Sequence, residues 1–380
     1  MTKNIYGSFY NPTQLLSYKD KTFYGAFGSR SLGKSTGFCI QMLNDFLAKG
    51  DQFIYTRRRE KETLEAAPVA YSDAVEIIND YGKYHIESFR YEKGTYYLDK
   101  GDGSGEQVCG FTIPLALEES YKSRSAEYKN VKTIFFDEAI PADDTRFLGN
   151  KENKGTYEFT RIISLYTTVA RKKGQAYRSD VKVILAANVE TFYSPILMNL
   201  QVHRFCNISN LGKFVSPKEI DGIKCDWVMQ FLRASDIEAT SGYQDTALYR
   251  ISKLANSGSE GYNFGVGNDN EAFIQGSVTG KLKPLCNLLY NGDLMGVFYC
   301  ENTGYIWVSK KPCRVDVKTL ALTPQDLTNN TDINLNVELC NNGKSGHPEL
   351  ILIYDSYRKG WLRFENGKVK FNVESFFMFI

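Results

Sequence analysis

The sequence predicts an α/β fold: a mostly parallel sheet carrying helices, then a linker, then a smaller β-rich or α+β domain. Three observations carry this reading. Through the first 235 residues, short aromatic or β-branched runs alternate with helix-period stretches, the pattern of strands joined by crossover helices. Residues 241–272 are rich in Ser, Gly and Asn around one helical piece at 246–255, the composition of a connector. From residue 275 onward, short strands and turns dominate. A length of 380 residues suits two domains, so the predicted division is 1–235, a linker at 236–274, and 275–380.

The elements follow in order. Lys21–Phe27 is short and aromatic, as a strand requires, and breaks at Gly28. Apolar residues then recur at Phe38, Met42, Leu43, Phe46 and Leu47, a helical stripe that Gly50 is placed to stop. Gln52–Thr56 reads as the next strand, and residues 84–117 as a β-meander with turn signals at Lys93-Gly94 and at 102–105. Val131–Phe136 and Val181–Ala187 are compact apolar strands flanking a helix around Phe159–Val169. In the last third, Gly296–Cys300 and Tyr305–Val308 form a predicted hairpin, and Leu350–Tyr354 and Trp361–Phe364 add predicted strands.

Composition bounds the function. Hydrophobic residues make up 42% and charged residues 24%, which excludes a disordered chain, a collagen and a coiled coil. The balance of 46 basic against 44 acidic residues excludes a uniformly basic nucleic-acid coat but not local patches. Charge is segregated: residues 51–150 carry 13 basic and 19 acidic groups, while 151–200 carry 8 and 4. The start lacks the apolar core of a secretory signal, and no uncharged apolar run approaches the ~20 residues that span a bilayer. The eight cysteines lie at least 13 residues apart, and the three histidines follow no metal pattern. The thiols therefore read as reduced, buried residues of a cytoplasmic protein.

Gly28, Ser29, Arg30, Ser31, Leu32, Gly33, Lys34 and Ser35 fit G-x-x-x-x-G-K-[ST] without deviation, between a strand and a helix, with Thr36 next in line. That context is what the chemistry needs. Glycines let successive backbone N–H groups converge on phosphate oxygens at the positive end of a helix dipole. Lys34 would supply a charge to the β- and γ-phosphates, and the Ser35 hydroxyl can ligate Mg²⁺. Ile134-Phe-Phe-Asp137-Glu138 is an apolar strand ending in two carboxylates at the sheet's C-terminal edge. There Asp137 would hold Mg²⁺ and Glu138 would polarise the attacking water. A hydrolase needs that second carboxylate, whereas a small-molecule kinase usually does not. Val183–Asn188 is a third buried strand, and Asn188 at its tip reads either as a γ-phosphate sensor or as an ordinary turn residue. Arg171-Lys172-Lys173 after the helix is either a solvated cation cluster at a helix end or a finger for a neighbouring subunit's nucleotide. Arg57-Arg58-Arg59 after the second strand reads either as phosphate or DNA contact or as a solvated loop.

With these residues in place, the sequence resembles the DNA-packaging ATPases (terminase-type encapsidation proteins) of small short-tailed phages of the phi-29 group. The resemblance rests on Phe9-Tyr-Asn-Pro12 and Leu16-Ser-Tyr18, the Gly28–Ser35 loop, Gln52–Tyr55 with Arg57-Arg58, and Tyr128–Val131 leading into Asp137-Glu138. Thr168-Val169 before Arg171, Leu289–Gly292, Leu322-Thr323 with Asp326-Leu327, and Gly360–Phe364 continue it in order. It spans nearly the whole chain and is loosest over 241–280.

The resemblance implies an ASCE-type P-loop ATPase domain followed by an RNase H-like, vestigial nuclease domain used for docking and DNA contact. It implies a pentameric ring that hydrolyses ATP with Mg²⁺ to thread double-stranded viral DNA into a prohead through its portal. Carried over by residue, Lys34 and Ser35 bind phosphates and Mg²⁺, Asp137 binds Mg²⁺, and Glu138 is the catalytic carboxylate. Arg171 becomes the finger acting in trans, Asn188 the coupling residue, and Tyr10, Asn11 and Pro12 part of the adenine pocket. Lys122 and Arg124 either line the DNA channel or form an exposed basic loop. Members of the group use a phage-encoded RNA ring, which these residues neither require nor exclude. The implied location is the host cytoplasm, transiently on the prohead, with no membrane and no secretion. The rival readings are a nuclease-competent terminase, for which Asp293, Asp316 and Asp355 are available carboxylates, another P-loop enzyme such as a helicase or nucleotide kinase, and a non-hydrolysing nucleotide-binding scaffold.

Overall fold

The strand that precedes the glycine-rich loop is buried at all six positions, which only a strand covered on both faces requires. In chain order, helix α1 (Thr13–Leu16), strand β1 (Phe23–Gly28) and helix α2 (Lys34–Lys49) open the fold. The apolar stripe of α2 is buried as its spacing predicts, and the helix stops at Gly50, whose φ of +74° and N–H bond to the Phe46 carbonyl make a left-handed cap. Strand β2 (Gln52–Thr56) and helices α3 (Glu60–Ala66) and α4 (Ser72–Tyr81) follow. The expected meander is β3 (Ser88–Glu92), β4 (Thr95–Asp99) and β5 (Gln107–Thr112). Its first turn is Lys93-Gly94, both at positive φ, which matches the twist of the paired strands. Then come α5 (Glu118–Ser123), β6 (Val131–Asp137), α6 (Lys154–Ala170), β7 (Lys182–Asn188) and α7 (Pro195–Asn199). Short strands β8 (Phe214–Val215), β9 (Glu219–Ile220) and β10 (Ile223–Lys224) lead to β11 (Trp227–Phe231).

These positions come from a computed structural model. It describes residues 5–7, 9–28, 32–140, 148, 154–171, 177–188, 194–205, 210, 212–232, 281–290, 292–301, 304–314, 316–322, 326, 333–334, 348–358, 362–365, 369–370 and 372–373. The expected linker and its helical piece at 246–255 lie outside the described residues, as do Ser29, Arg30 and Ser31.

The first sheet runs β3-β4-β5-β2-β6-β7-β1-β11-β8, parallel from β5 through β11 and antiparallel at both margins. Strand β7 lies between the glycine-loop strand β1 and the acidic strand β6, the order of an ASCE-type ATPase sheet. The register aligns Gly28 with Asn188 and Asp137 with Ala186, so three strand tips end together at one edge. One core fills each face. Phe27, Phe136, Ile162 and Leu185 pack on the α6 side, and Phe38, Leu43, Phe135 and Tyr24 on the α2 side.

A second sheet has its own core, built on Cys286, Val297, Val308, Leu320 and Ile353. It contains β12 (Leu282–Tyr290), β13 (Asp293–Cys300), β14 (Ile306–Ser309), β15 (Thr319–Ala321) and β16 (Ile333–Asn334). Helix α8 (Pro348–Arg358) and edge strand β17 (Leu362–Phe364) complete it. The order is β16-β15-β12-β13-β14-β17. An antiparallel meander β12-β13-β14 is extended by β15 and β16 parallel to β12, the arrangement of an RNase H-like sheet, with β17 added at the far edge.

One expected element is corrected: Leu350–Tyr354 is not a strand but the body of α8. A five-residue apolar run does not separate helix from buried strand by period alone. Pro348 and Glu349 in the first turn favour the helix, which buries Ile353 and leaves Ile351 and Leu352 42% and 40% exposed. Among the described residues, no helix is long and apolar enough to cross a membrane.

Candidate nucleotide site

The tips of β1, β6 and β7 carry Gly28, Asp137 and Asn188, and the loop after β1 delivers Lys34 and Ser35 at the start of α2. Residues a hundred positions apart meet here: Ser35 Oγ donates to Asp137 Oδ1 at 2.6 Å. Gly33 holds the turn into α2 at φ +65° and has no side chain with which to cap the helix. The first N–H groups of this sixteen-residue helix lie at the positive end of its dipole, uncapped by Gly33.

Lys34 is buried and donates to the Gly28 carbonyl and to Asn188 Oδ1, both at 3.1 Å. Burial pushes its ammonium down to about 7, and the nearby Asp137 charge pulls it back only in part. A buried cation held on neutral acceptors is poised for an anion. Ser35 and Asp137 are hard oxygen donors of the kind Mg²⁺ takes, and the two already lie together, so these residues fit the metal. Thr36 is half-buried in the first turn of α2.

Arg57 completes the acidic side. Its Nη2 donates to Asp137 Oδ2 at 2.8 Å, its Nε donates to the Tyr55 hydroxyl at 2.8 Å, and its Nη1 lies 3.4 Å from Glu138 Oε2. The Tyr55 hydroxyl in turn donates to Asp137 Oδ2 at 3.0 Å. Burial, reinforced by the Asp137 charge, pushes the Tyr55 hydroxyl far up, so it stays a donor. Burial alone would lower the Arg57 guanidinium, but Asp137 and Glu138 hold it above its ordinary value. Glu138 follows at φ +55°, with its side chain 60% exposed at the mouth of the pocket.

The two arginines expected at phosphate, at DNA or in a solvated loop take partners beside the site. Arg57 is engaged on the site's carboxylates, and Arg58 is buried in an ion pair with Glu158. The reason is topological: β2 lies beside β6, so residues leaving its tip enter the space next to Asp137 rather than an outer surface. Arg124 packs on the Phe111 ring, 5.5 Å from its centroid, and pairs with Glu127 at 2.7 Å, while Lys122 is exposed on α5.

The segment expected at the adenine is present but differently arranged. The Tyr10 ring is buried edge-on against Phe38, and its hydroxyl donates to Gln230 Oε1 at 2.6 Å, so it packs as a core residue. The Asn11 carboxamide accepts from the N–H and hydroxyl of Thr13, and Pro12 is buried at the start of α1. The Tyr10 N–H donates to the Leu32 carbonyl, pinning the segment to the glycine-rich loop. Sequence reasoning missed Gly37, over which this segment lies: a Cβ there would stand 2.0 Å from the Tyr10 carbonyl oxygen. Its only signal was a glycine inside a strong helical stripe.

Arg171 lies exposed just past α6. The Arg178 N–H donates to Ala170 O at 2.9 Å, and its guanidinium donates to the Lys129 and Val131 carbonyls. The end of α6 therefore sits beside the start of β6, a strand's length of ~20 Å from Asp137. Arg171 is remote from its own chain's site. In the second sheet, Asp293 accepts from Asn372 at 3.2 Å, Asp355 is exposed on α8, and Asp316 is exposed. Among the described residues, no three His, Cys, Asp or Glu are grouped as metal ligands.

The chain is similar to characterised proteins over this geometry and beyond it. It is 26% identical over 370 residues, 95% of both chains, to the DNA packaging protein of Bacillus phage phi29. It is 28% identical over 183 residues, 48% of both chains, to the DNA packaging protein of Bacillus phage B103. Its fold matches a chain of the bacteriophage Phi-29 viral genome packaging motor assembly with a TM-score of 0.54, at 22% identity, covering 98% of this chain and 99% of that one. The model of the Podovirus DNA encapsidation protein (Gp16) family matches residues 1–210, and the chain belongs to that family.

Proposed function

We propose that this chain is the ATP-hydrolysing subunit of a motor that drives double-stranded viral DNA into a prohead, working as a homo-oligomeric ring docked on the portal in the host cytoplasm. The observation that carries the hydrolytic part is the 2.6 Å bond between Ser35 and Asp137, with Lys34 and Asn188 joined beside it. Backbone N–H groups of the loop and Lys34 bind and orient the triphosphate. Ser35 and Asp137 hold Mg²⁺, which when bound neutralises charge on the β- and γ-phosphates. Glu138 orients the attacking water, and Asn188 holds the Lys34 ammonium in place through its Oδ1, where it could sense the state of the nucleotide. The exposed Glu138 carboxylate supports a hydrolase over a kinase. Family membership supports DNA as the cargo.

Arg171 acts in trans. Its distance from its own site leaves a neighbouring subunit's nucleotide as the target, and a ring supplies that neighbour. The proposed units are the ATPase domain 1–235, a linker 236–274, and a docking domain 275–380 whose RNase H-like sheet contacts DNA without cutting it.

The test is ATP turnover with and without double-stranded DNA and proheads. Stimulation by both is expected, with Lys34→Ala and Glu138→Gln each lowering turnover at least about a hundredfold. Turnover indifferent to DNA would turn the reading toward an unrelated P-loop enzyme. Mixed rings of Lys34→Ala and Arg171→Ala subunits, each inactive alone, should recover part of the activity. No recovery in rings shown to be mixed would remove the trans assignment. Reproducible cutting of supercoiled DNA with Mn²⁺, abolished by Asp355→Ala, would overturn the vestigial reading.

A further inference from the structure

Arg58 and Glu158 form the one described ion pair in which both side chains are buried, at 4% and 0% exposure. Two charges removed from water are a poor device for stability, because desolvation offsets most of their attraction. The pair's other bonds indicate its use. Arg58 Nε and Nη2 donate to the Glu158 carboxylate at 2.8 and 3.0 Å. The same guanidinium donates through Nη1 to the Glu138 carbonyl and through Nη2 to the Ala139 carbonyl at 2.5 Å, while lying over the Phe136 ring. Glu158 also accepts from the Leu148 N–H at 3.1 Å, and the Ala139 N–H donates to the Ala186 carbonyl of β7 at 2.9 Å. The peptide units that follow Glu138 are therefore held from both sides. Glu138 itself sits at φ +55°, a conformation that a glutamate keeps only where its surroundings impose it.

We infer that Arg58, locked by Glu158, is a positioning residue that fixes the left-handed turn at Glu138 and so aims its carboxylate at the attacking water. The inference rests on the reading of Glu138 as the hydrolytic carboxylate. It gives helix α6 a second task. Glu158 lies in the first turns of α6, and Arg171 follows the last residue of that helix, so one element joins the buried pair to the proposed trans finger. Arginine is required because a planar fork serves two carbonyls and a carboxylate together, whereas a lysine ammonium does not present that geometry.

The experiment compares single-turnover ATP hydrolysis, affinity for a fluorescent ATP analogue, and melting temperature for Arg58→Lys and for the double variant Arg58→Met/Glu158→Leu. The double variant removes both charges at once and is expected to fold. Each should lose about 10- to 100-fold in hydrolysis rate while binding the analogue within about twofold of the parent, since the P-loop is untouched. Glu158→Gln, which keeps one acceptor oxygen for Arg58 Nε and Leu148 but replaces the oxygen facing Arg58 Nη2 with an amide donor, should show the same split at smaller amplitude and serves if the others unfold. A folded variant with parental turnover would overturn the proposal, as would loss of rate and affinity together. A double-mutant cycle gives the last arm: on a Glu138→Gln background, Arg58→Lys should have no further effect. An independent, multiplicative loss there would show that Arg58 does not act through Glu138. If Glu138→Gln alone leaves hydrolysis intact, it is the underlying assignment of Glu138 that falls.

Discussion

Lys34 shows how burial shifts the charge state of a cation. Its pKa near 7 in the folded chain stands below the ordinary 10.5 of the unfolded one. Between those values the unfolded chain binds a proton that the folded chain does not. Stability of the nucleotide-free protein should therefore rise with pH from about 7 to 10.5, and the cost of the buried charge is fully felt below 7. Replacing Lys34 with Met should flatten that dependence, as melting temperatures across pH 7–9 will show. Bound triphosphate restores the charged form, so ATP binding at pH 8 should take up protons. Calorimetry in two buffers of different ionisation enthalpy measures this, and identical heats would refute it. The meeting of Lys34, Ser35 and Asp137 was legible as letters because an anion cradle needs a fixed spacing. The places of Arg57 and Arg58 were not: a run of three arginines reads equally as phosphate or DNA contact or as a solvated loop until the neighbouring strand is known.

At the scale of elements, the close approach of residues 9–12 to α2 depends on Gly37. Gly37→Ala places a methyl against the Tyr10 carbonyl and must push that segment off the helix. It should cost about 1–3 kcal/mol in denaturant unfolding and weaken nucleotide binding as well. Gly50→Ala is the matched control, because nothing lies within 4 Å of its Cβ, yet its φ is +74°. It should cost about 1 kcal/mol without changing nucleotide affinity. If both glycines behave alike, the packing role of Gly37 is wrong. The helical stripe of α2, the meander and the buried strands were all readable from period and turn chemistry. Helix α8 was not, because its short apolar run satisfies two periods at once.

For the whole molecule, the first sheet closes at Phe231 and the second opens at Leu282, each over its own core. A chain ending at residue 235 should therefore unfold cooperatively and bind an ATP analogue with the affinity of the full chain. Aggregation, or binding lost with the second sheet, would show that the division is wrong. By itself the sequence determined the parallel α/β class, the phosphate loop, the acidic strand tip and the family, since each is set by local spacing or by similarity along the chain. Tertiary structure alone decided that β7 separates β1 from β6, that Arg57 meets Asp137, that Tyr10 turns into the core, and that Arg171 stands at the far edge of its own sheet. The physical reason is that strand order is fixed by how crossover helices bury their apolar faces. That choice places side chains distant in sequence within hydrogen-bonding reach, and no local spacing records it.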